Sequence, residues 1–467
     1  MTGPGRKHVV VVVMGDLGRS PRMSYHALSL LEHGHCVSLI GYEGEDIMPQ
    51  LKLHGGLLQV IRFNPYTPPS WIRKYALPLY YMFRIVGLAF GLTVATTQIQ
   101  GDPDCVLVQN PPSLPLLMIA YCYCLIKERS AKKKPGFVID WHNLGFTMLK
   151  PKSMIRQLAY ENEKMMSPYA DGHLCVTKAM KEWLIGNFGI DGDKIFELYD
   201  RPPEFFRPTK AEVMHDLMKR LKSDMEKQSP CLRVEETNRT LFTEVLLQHG
   251  NRQIVERDDE DRPVLIVSST SWTADEDFSI LLRALGLLDR TIKENNIKFP
   301  RVVVIVTGKG PQKEMYKEQI SQMHLEKVSI LTLWLESSDY PKLLGCADLG
   351  VSLHTSTSDL ELPMKVLDMF GCEVPVCAVK FGCLDELVQD GVNGRVFSQT
   401  SDLELSEQFL HLLIEKRGDD KKITGDLAKF RGNIRGMTRW RENWKDQAHD
   451  MIMDACPDIL QSHSKED

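Results

Sequence analysis

The residues able to do chemistry stand in short loops that follow apolar runs. Asp140-Trp141-His142-Asn143 comes directly after the run Gly136–Ile139. A histidine near its ordinary pKa takes a proton at neutral pH, and a carboxylate two residues away can orient it. His142 and Asp140 are therefore a candidate base and its partner, and the spacing leaves open which of the two acts. Ser268-Ser269-Thr270-Ser271-Trp272 precedes Thr273-Ala274-Asp275-Glu276, a capping-box spacing that predicts a helix start there. The hydroxyls of Ser269 and Ser271 suit a diphosphate. Gly308-Lys309-Gly310-Pro311 follows RVVVIVT, so the glycines are expected to give backbone access while Lys309 supplies a point charge. That loop lacks the P-loop spacing, and nucleotide hydrolysis is not implied.

The segment from Leu353 to Gly371 is richest. Pro363 fits a first helical turn, and Lys365 and Asp368, three apart, then share one helix face. A cation followed one turn later by a carboxylate answers the two demands of a nucleotide: phosphates want positive charge, and a ribose diol wants a bidentate acceptor. After the first apolar run, Gly15, Gly18 and Arg19 and the helix opening at Pro21 form a candidate anion loop. G-x-G-x-x-G is absent there, which argues against a nicotinamide or flavin site. The D-x-D triplets at Asp102–Asp104, Asp191–Asp193 and Asp275–Asp277 end no core strand and read as solvated acids, so no metal is expected.

The elements that must position these loops alternate strand and helix. His8–Met14, Cys36–Gly41, Cys105–Gln109, Phe137–Asp140 and Gly172–Thr177 read as buried parallel strands, with a helix over Pro21–Glu32. A second series follows at Val264–Ser268, Arg301–Thr307, Val328–Thr332, Leu349–Leu353 and Val374–Val379. The expected fold is α/β: two Rossmann-like, doubly wound domains facing each other across a cleft. The expected divisions are a first Rossmann-like domain at 1–207, a charged connector at 208–262, a second Rossmann-like domain at 263–430 and a helical tail at 431–467.

The 467 residues are 43% hydrophobic and 25% charged, the composition of a folded globular protein. Lys and Arg number 57 against 62 Asp and Glu, a formal charge of −5, which gives no general electrostatic reason to bind nucleic acid. The 11 cysteines contain no C-x-x-C pair and read as reduced core thiols of a protein facing the cytosol. The chain enters its first strand almost at once, so no signal peptide is expected. Tyr75–Ala95 and Pro115–Ile126 are the two long apolar segments. Arg84 disfavours a membrane span in the first, by about 2.5–3.5 kcal/mol. It reads as a core helix or one lying in a bilayer interface, with Trp71, Tyr75, Tyr80 and Tyr81 at headgroup level.

The motifs HVVVVVMGDLGRSPRMSYHALSL, LVQNPPSLP, VIDWHN, HLCVTKAM, VSSTSWTADEDFSILL, VTGKGP, WLESSDYPKLLGCADLGVSLHTSTSDLELPMKVLDMFGCEVPVCAV and GVNGRVF, spread from His8 to Trp444, resemble the chitobiosyldiphosphodolichol β-mannosyltransferase family. More loosely they resemble the wider two-Rossmann (GT-B) glycosyltransferases, where P-x-K-x-x-[DE] on a helix holds the nucleotide. The resemblance implies transfer of the first β-1,4-mannose from GDP-mannose to GlcNAc2-diphosphodolichol, at the cytosolic face of the endoplasmic reticulum membrane. Other early mannosyltransferases of the pathway are further candidate partners. The family usually begins with a hydrophobic anchor helix, and this sequence starts with a short polar leader. The two apolar segments are then the expected contacts with membrane and lipid acceptor.

An α-linked donor and a β-linked product imply one in-line displacement with inversion, with a base on the acceptor side. His142 or Asp140 fills that role. Lys309, Lys365 and helix-start amides would stabilise the leaving diphosphate without a metal or other cofactor, Asp368 would hold the ribose, and Glu361 or His354 would touch the mannose. Arg129, Lys132, Lys133 and Lys134 could meet a lipid diphosphate, or form a solvated charge run. The alternatives are a non-catalytic nucleotide-sugar or lipid-binding scaffold, and a transferase of the same fold using another donor, such as a retaining one.

Overall fold

A computed structural model describes residues 5–131, 133–248, 251–273, 276–336, 338–414 and 425–456. Among the expectations above, those on Lys132, Ala274 and Asp275, and on the tail beyond Cys456, lie outside these residues. The chain divides into two compact units, one formed by residues 1–200 and 440–467 and the other by 201–439.

The first unit is built on seven parallel strands: β1 (His8–Asp16), β2 (Cys36–Tyr42), β3 (Leu58–Phe63), β4 (Cys105–Asn110), β5 (Gly136–Trp141), β6 (Gly172–Cys175) and β7 (Ile195–Glu197). Their order is β3-β2-β1-β4-β5-β6-β7. The valine run of β1 is buried from His8 to Val13, as β-branched residues covered on both faces of a parallel sheet should be. Pro21–Glu32 forms the expected helix, with proline in its first turn. The order reverses between β1 and β4, and the loops beyond their carboxyl ends are where such sheets bind ligands.

The second unit carries a hairpin, β8 (Thr243–Gln248) and β9 (Asn251–Glu256), and a six-stranded sheet: β10 (Val264–Ser269), β11 (Val302–Thr307), β12 (Val328–Leu333), β13 (Leu349–Ser352), β14 (Val376–Val379) and β15 (Gly394–Phe397). Its order is β12-β11-β10-β13-β14-β15, every neighbour parallel. This repeats the doubly wound pattern, with its reversal between β10 and β13. Both expected Rossmann-like domains are present.

The expected divisions need correcting. Residues 208–262 are not a detached connector. The helix Ala211–Gln228 buries Met214, Leu217, Met218, Leu221 and Met225 within the second unit, because its charges fill only the opposite face. The tail is split: Asp426–Arg435 belongs with the second unit, while Trp440–Cys456 returns to the first. Trp440 donates to Ser29 Oγ at 3.1 Å and Trp444 to His26 Nδ1 at 2.9 Å. Two large indoles on one short helix bury more apolar area than the polar sequence around them suggests.

All but the first two residues of the apolar segment Tyr75–Ala95 lie in the helix Leu77–Thr97, the one described helix long and apolar enough to cross a membrane, with an 18-residue stretch of mean hydropathy 1.5 of which 17% is buried. It is not a buried core helix.

Replacing the fully buried Trp444 by Ala should destabilise the chain by about 3–5 kcal/mol. A thermal melt checks this, and an unshifted melting temperature would show that the tail does not belong to the first unit's core.

Candidate active site

In the first unit the site is organised by Asp140, fully buried at the end of β5. Arg22 grips it with two prongs, Nε to Oδ2 at 2.9 Å and Nη2 to Oδ1 at 2.8 Å. His26 Nε2 and His142 Nε2 approach the same Oδ2 at 3.0 and 2.8 Å. Arg22 also binds Leu198 O at 2.9 Å and Asp200 Oδ1 at 2.8 Å, so its charge is shared between two acids. Burial alone would raise the Asp140 carboxyl, but Arg22 and His142 hold it well below the usual carboxylate range. Trp444 donates to His26 Nδ1, so His26 carries its proton on Nε2 and gives it to Asp140. Burial keeps this ring neutral by lowering its pKa.

Three of these hydrogen bonds converge on Asp140 Oδ2 and one falls on Oδ1, and the carboxylate has no exposure to solvent. Asp140 is enclosed by its own partners. His142 differs: its side chain retains 21% exposure, its backbone N–H is fixed to Asn110 O at 2.8 Å, and its Nε2 faces Asp140. With Nε2–H donated to an ionised carboxylate, Nδ1 carries the basic lone pair of the neutral ring.

The loop at Gly15, Gly18 and Arg19 departs from expectation. Asp16 accepts from Gly18 N at 2.9 Å and from Glu45 N at 3.1 Å, while Arg19 is paired with Glu45. A side chain at Gly18 would come within 2.6 Å of Asp46 O. The glycine serves chain packing, and the loop presents carboxylates where an anion would need donors, so it is corrected from a phosphate loop to a structural turn. The basic run is likewise occupied: Lys133 pairs with Asp104, and Lys134 lies 3.8 Å from Asp171. Asp104 is itself structural, accepting from His8 N at 2.6 Å.

In the second unit the candidates gather at the reversal point. Ser269, ending β10, lies 3.2 Å from the Tyr340 hydroxyl, which donates to Asp368 Oδ2 at 3.3 Å. Lys365 donates to Ser271 Oγ at 3.3 Å and pairs with Glu276, which is 2% exposed. Glu276 also accepts from Thr270 Oγ1 at 2.6 Å and Ser271 N at 2.8 Å. Burial would raise its carboxyl, but Lys365 and these donors lower it. His354, just beyond β13, has Nδ1 3.9 Å from the same carboxylate. Ser269, Ser271, His354, Lys365 and Asp368 are thus brought together. The Glu361 carbonyl accepts from Cys383 Sγ at 3.5 Å. Glu276 and Tyr340 were not singled out from sequence. Glu276 read as a helix cap, yet the helix begins only at Ser279; the carboxylate turns back to fix Ser271 and Lys365 instead.

Gly308 and Gly310 are needed for another reason than expected. A Cβ at either would fall 1.8 Å from Thr270 O or Ser271 O, so the turn presses on the β10 loop rather than opening to a ligand. Lys309 lies over the Trp334 ring, 3.6 Å from its centroid, a cation–π contact. Among the described residues there is no group of three or more His, Cys, Asp or Glu able to hold a metal.

Burial pushes the Asp368 carboxyl up to about 8, against the hydrogen bond from Tyr340. An unfolded aspartate titrates near 4, so across the interval the folded state holds a proton that the unfolded state has released. Asp368 therefore favours folding most at low pH, and that contribution is lost as pH rises through about 8. The melting temperature of Asp368→Asn relative to the parent should climb from pH 5 to 9; two parallel curves would show that the carboxyl is not held protonated.

The family model of the group 1 glycosyl transferases matches residues 251–425, which includes the whole second-unit cluster. A solved structure of Anabaena HepE with UDP-glucose superposes over 96% of this chain and 99% of its own, with TM-score 0.60 and 15% identity, a likeness of fold. An Arabidopsis thaliana protein named UDP-glycosyltransferase TURAN is 39% identical, covering 98% of this chain and 99% of that protein. The mouse chitobiosyldiphosphodolichol beta-mannosyltransferase is 41% identical over 95% of this chain and 88% of its own. Proteins of the same name in human, Dictyostelium and fungi are also similar over nearly the full length, at 39%, 35% and 33% identity for three of them. The chain is a glycosyltransferase and belongs to the chitobiosyldiphosphodolichol beta-mannosyltransferase family.

Proposed function

We propose that the protein transfers a mannosyl group from GDP-mannose to the terminal sugar of GlcNAc2-diphosphodolichol, forming a β linkage by a single inverting displacement. The observation that carries this reading is the cluster of Lys365, Ser271, Ser269 and Asp368 at the β10–β13 reversal, inside the segment matched by the group 1 glycosyltransferase model. Lys365 is held at the site by the buried Glu276 carboxylate and can turn its remaining donor to a diphosphate. With Lys309 it offers positive charge to the leaving group, the role a metal has elsewhere, so transfer is expected to survive EDTA. A protonated Asp368 accepts from one ribose hydroxyl and donates to the other, which suits a diol as well as an ionised carboxylate does. His354 is the nearest candidate for the hexose.

On the acceptor side His142 removes the proton of the attacking hydroxyl through Nδ1. Asp140 stabilises the imidazolium that forms, and Arg22 keeps Asp140 ionised throughout. Replacing His142 by Ala should lower kcat by about 10²–10⁴-fold and leave GDP-mannose affinity unchanged. Asp368→Ala should weaken GDP-mannose binding by about tenfold or more, the worth of one hydrogen bond to a carboxyl group. Calorimetry with the free enzyme and steady-state kinetics separate the two. The name of the Arabidopsis relative points to a uridine donor, and tighter binding of a UDP-sugar than of GDP-mannose would replace the donor assignment.

The reading places the protein at the endoplasmic reticulum membrane, on the cytosolic face, with the helix Leu77–Thr97 in the headgroup region. Val86 and Phe90 on it are 60% and 70% exposed, and Trp71 and Tyr75 just before it are 64% and 76% exposed. Arg73, Lys74 and Arg84 are the charges of this stretch, and no acid lies between Asp46 and Asp102. Apolar side chains, interfacial aromatics and unopposed cations together fit an anionic lipid surface. The double variant Val86→Glu, Phe90→Glu should lose flotation with anionic vesicles while binding GDP-mannose normally; undiminished flotation would move the membrane contact elsewhere.

A further inference from the structure

Glu163 is a fully buried carboxyl group on the helix Met154–Met166, and none of its hydrogen-bond partners is a cation. Its Oε1 accepts from Gly145 N at 3.0 Å and from Asn110 Nδ2 at 3.4 Å. Both partners flank His142. Asn110 gives its own carbonyl to His142 N at 2.8 Å, and its side-chain amide also reaches Asn143 O at 3.3 Å. Gly145 has no room for a side chain: a Cβ there would stand 2.7 Å from Glu163 Oε1 and 3.0 Å from Pro111 Cβ. One carboxyl oxygen therefore joins the end of β4 to the loop after β5, with the His142 turn strung between them.

We propose that Glu163 is a positioning residue for the transfer reaction, holding Asn110 and Gly145 so that the His142 ring keeps its aim. It does so as the neutral acid. Its second oxygen and Asn110 Oδ1 are both buried acceptors in need of a donor, a costly arrangement for two polar atoms at the same strand end. A proton on Glu163 Oε2 makes that oxygen a donor and meets the need. Burial pushes the carboxyl up to about 7, against the hydrogen bonds from Asn110, Ser113 and Gly145. An ionised Glu163 would be a buried charge with no counter-ion, and the cluster would have to open to water.

The inference rests on His142 as the base, and the test tells the two apart. Glu163→Gln keeps a carbonyl for Gly145 N and adds donors for the orphaned oxygens. Glu163→Ala removes both. Kinetics with GDP-mannose and a GlcNAc2-diphosphate-lipid acceptor should give the Gln variant nearly the parent kcat. The Ala variant should lose about 10–100-fold in kcat, the cost of a misaimed or unsupported catalytic group, with KM for GDP-mannose unchanged. Where Glu163→Ala does not fold, Gly145→Ala, which displaces the same oxygen, should show the same split. Parent-like kcat in the Ala variant or in Gly145→Ala, with His142→Ala inactive, would overturn the positioning role and leave the base assignment standing. Full activity in His142→Ala would overturn both.

Discussion

A carboxylate removed from water must be matched by charge and hydrogen bonds, and this requirement governs both candidate sites. Asp140 has no exposure at all, yet it stays ionised because Arg22 binds it with two prongs while His26 and His142 add hydrogen bonds to Oδ2. Breaking such a buried pair by removing one partner costs about 3–5 kcal/mol, so Arg22 cannot be exchanged without exposing the charge it answers. The same logic recurs in the second unit, where Glu276 is nearly inaccessible and fixes Lys365, Thr270 and Ser271. In each unit a buried acid sets the direction of a more exposed residue: His142 in one, Lys365 in the other. Function on this account lies with the exposed member of each pair, and the buried acid makes its geometry reproducible.

The fold was legible wherever valine, leucine and isoleucine run unbroken, since strands covered on both faces declare themselves that way. β1, β10 and β11 stand almost where the pattern predicts them, and Pro21–Glu32 matches its expected helix to the residue. β3, β7, β15 and the hairpin β8–β9 went unrecognised. Leu58–Phe63 carries Gln and Arg inside the strand, and Ile195–Glu197 and Gly394–Phe397 are too short for periodicity to register. The tail was misplaced for a different reason. Trp440 and Trp444 form hydrogen bonds with Ser29 and His26, more than 400 positions away in sequence, and no local pattern encodes so distant a pairing.

The candidate sites divide along similar lines. Lys365 and Asp368 share a helix face at readable spacing; Lys365 reaches Ser271 just beyond β10, and Asp368 is tied through the Tyr340 hydroxyl to Ser269 at its end. Arg22 and His26 were visible as one face of an early helix, but their partner lies 118 and 114 residues away, so nothing marked them. Glu276 was hidden by a plausible local explanation, the capping box, which tertiary pairing overrode. Gly18, Gly308 and Gly310 show the converse: their spacing suggested room for a ligand, whereas close approach of the chain's own backbone occupies the space. A glycine records that something comes near, without recording what.

The central claim is an inverting sugar transfer, with an Asp140-oriented imidazole as base and lysine charge at the leaving diphosphate. The most direct measurement is the linkage made by purified protein supplied with GDP-mannose and a GlcNAc2-diphosphate-lipid in the presence of EDTA. One mannose added per acceptor, with a β-anomeric configuration by NMR and sensitivity to β-mannosidase, is the predicted result. An α-linked product, or transfer that stops on chelation and returns with added divalent metal, would contradict it.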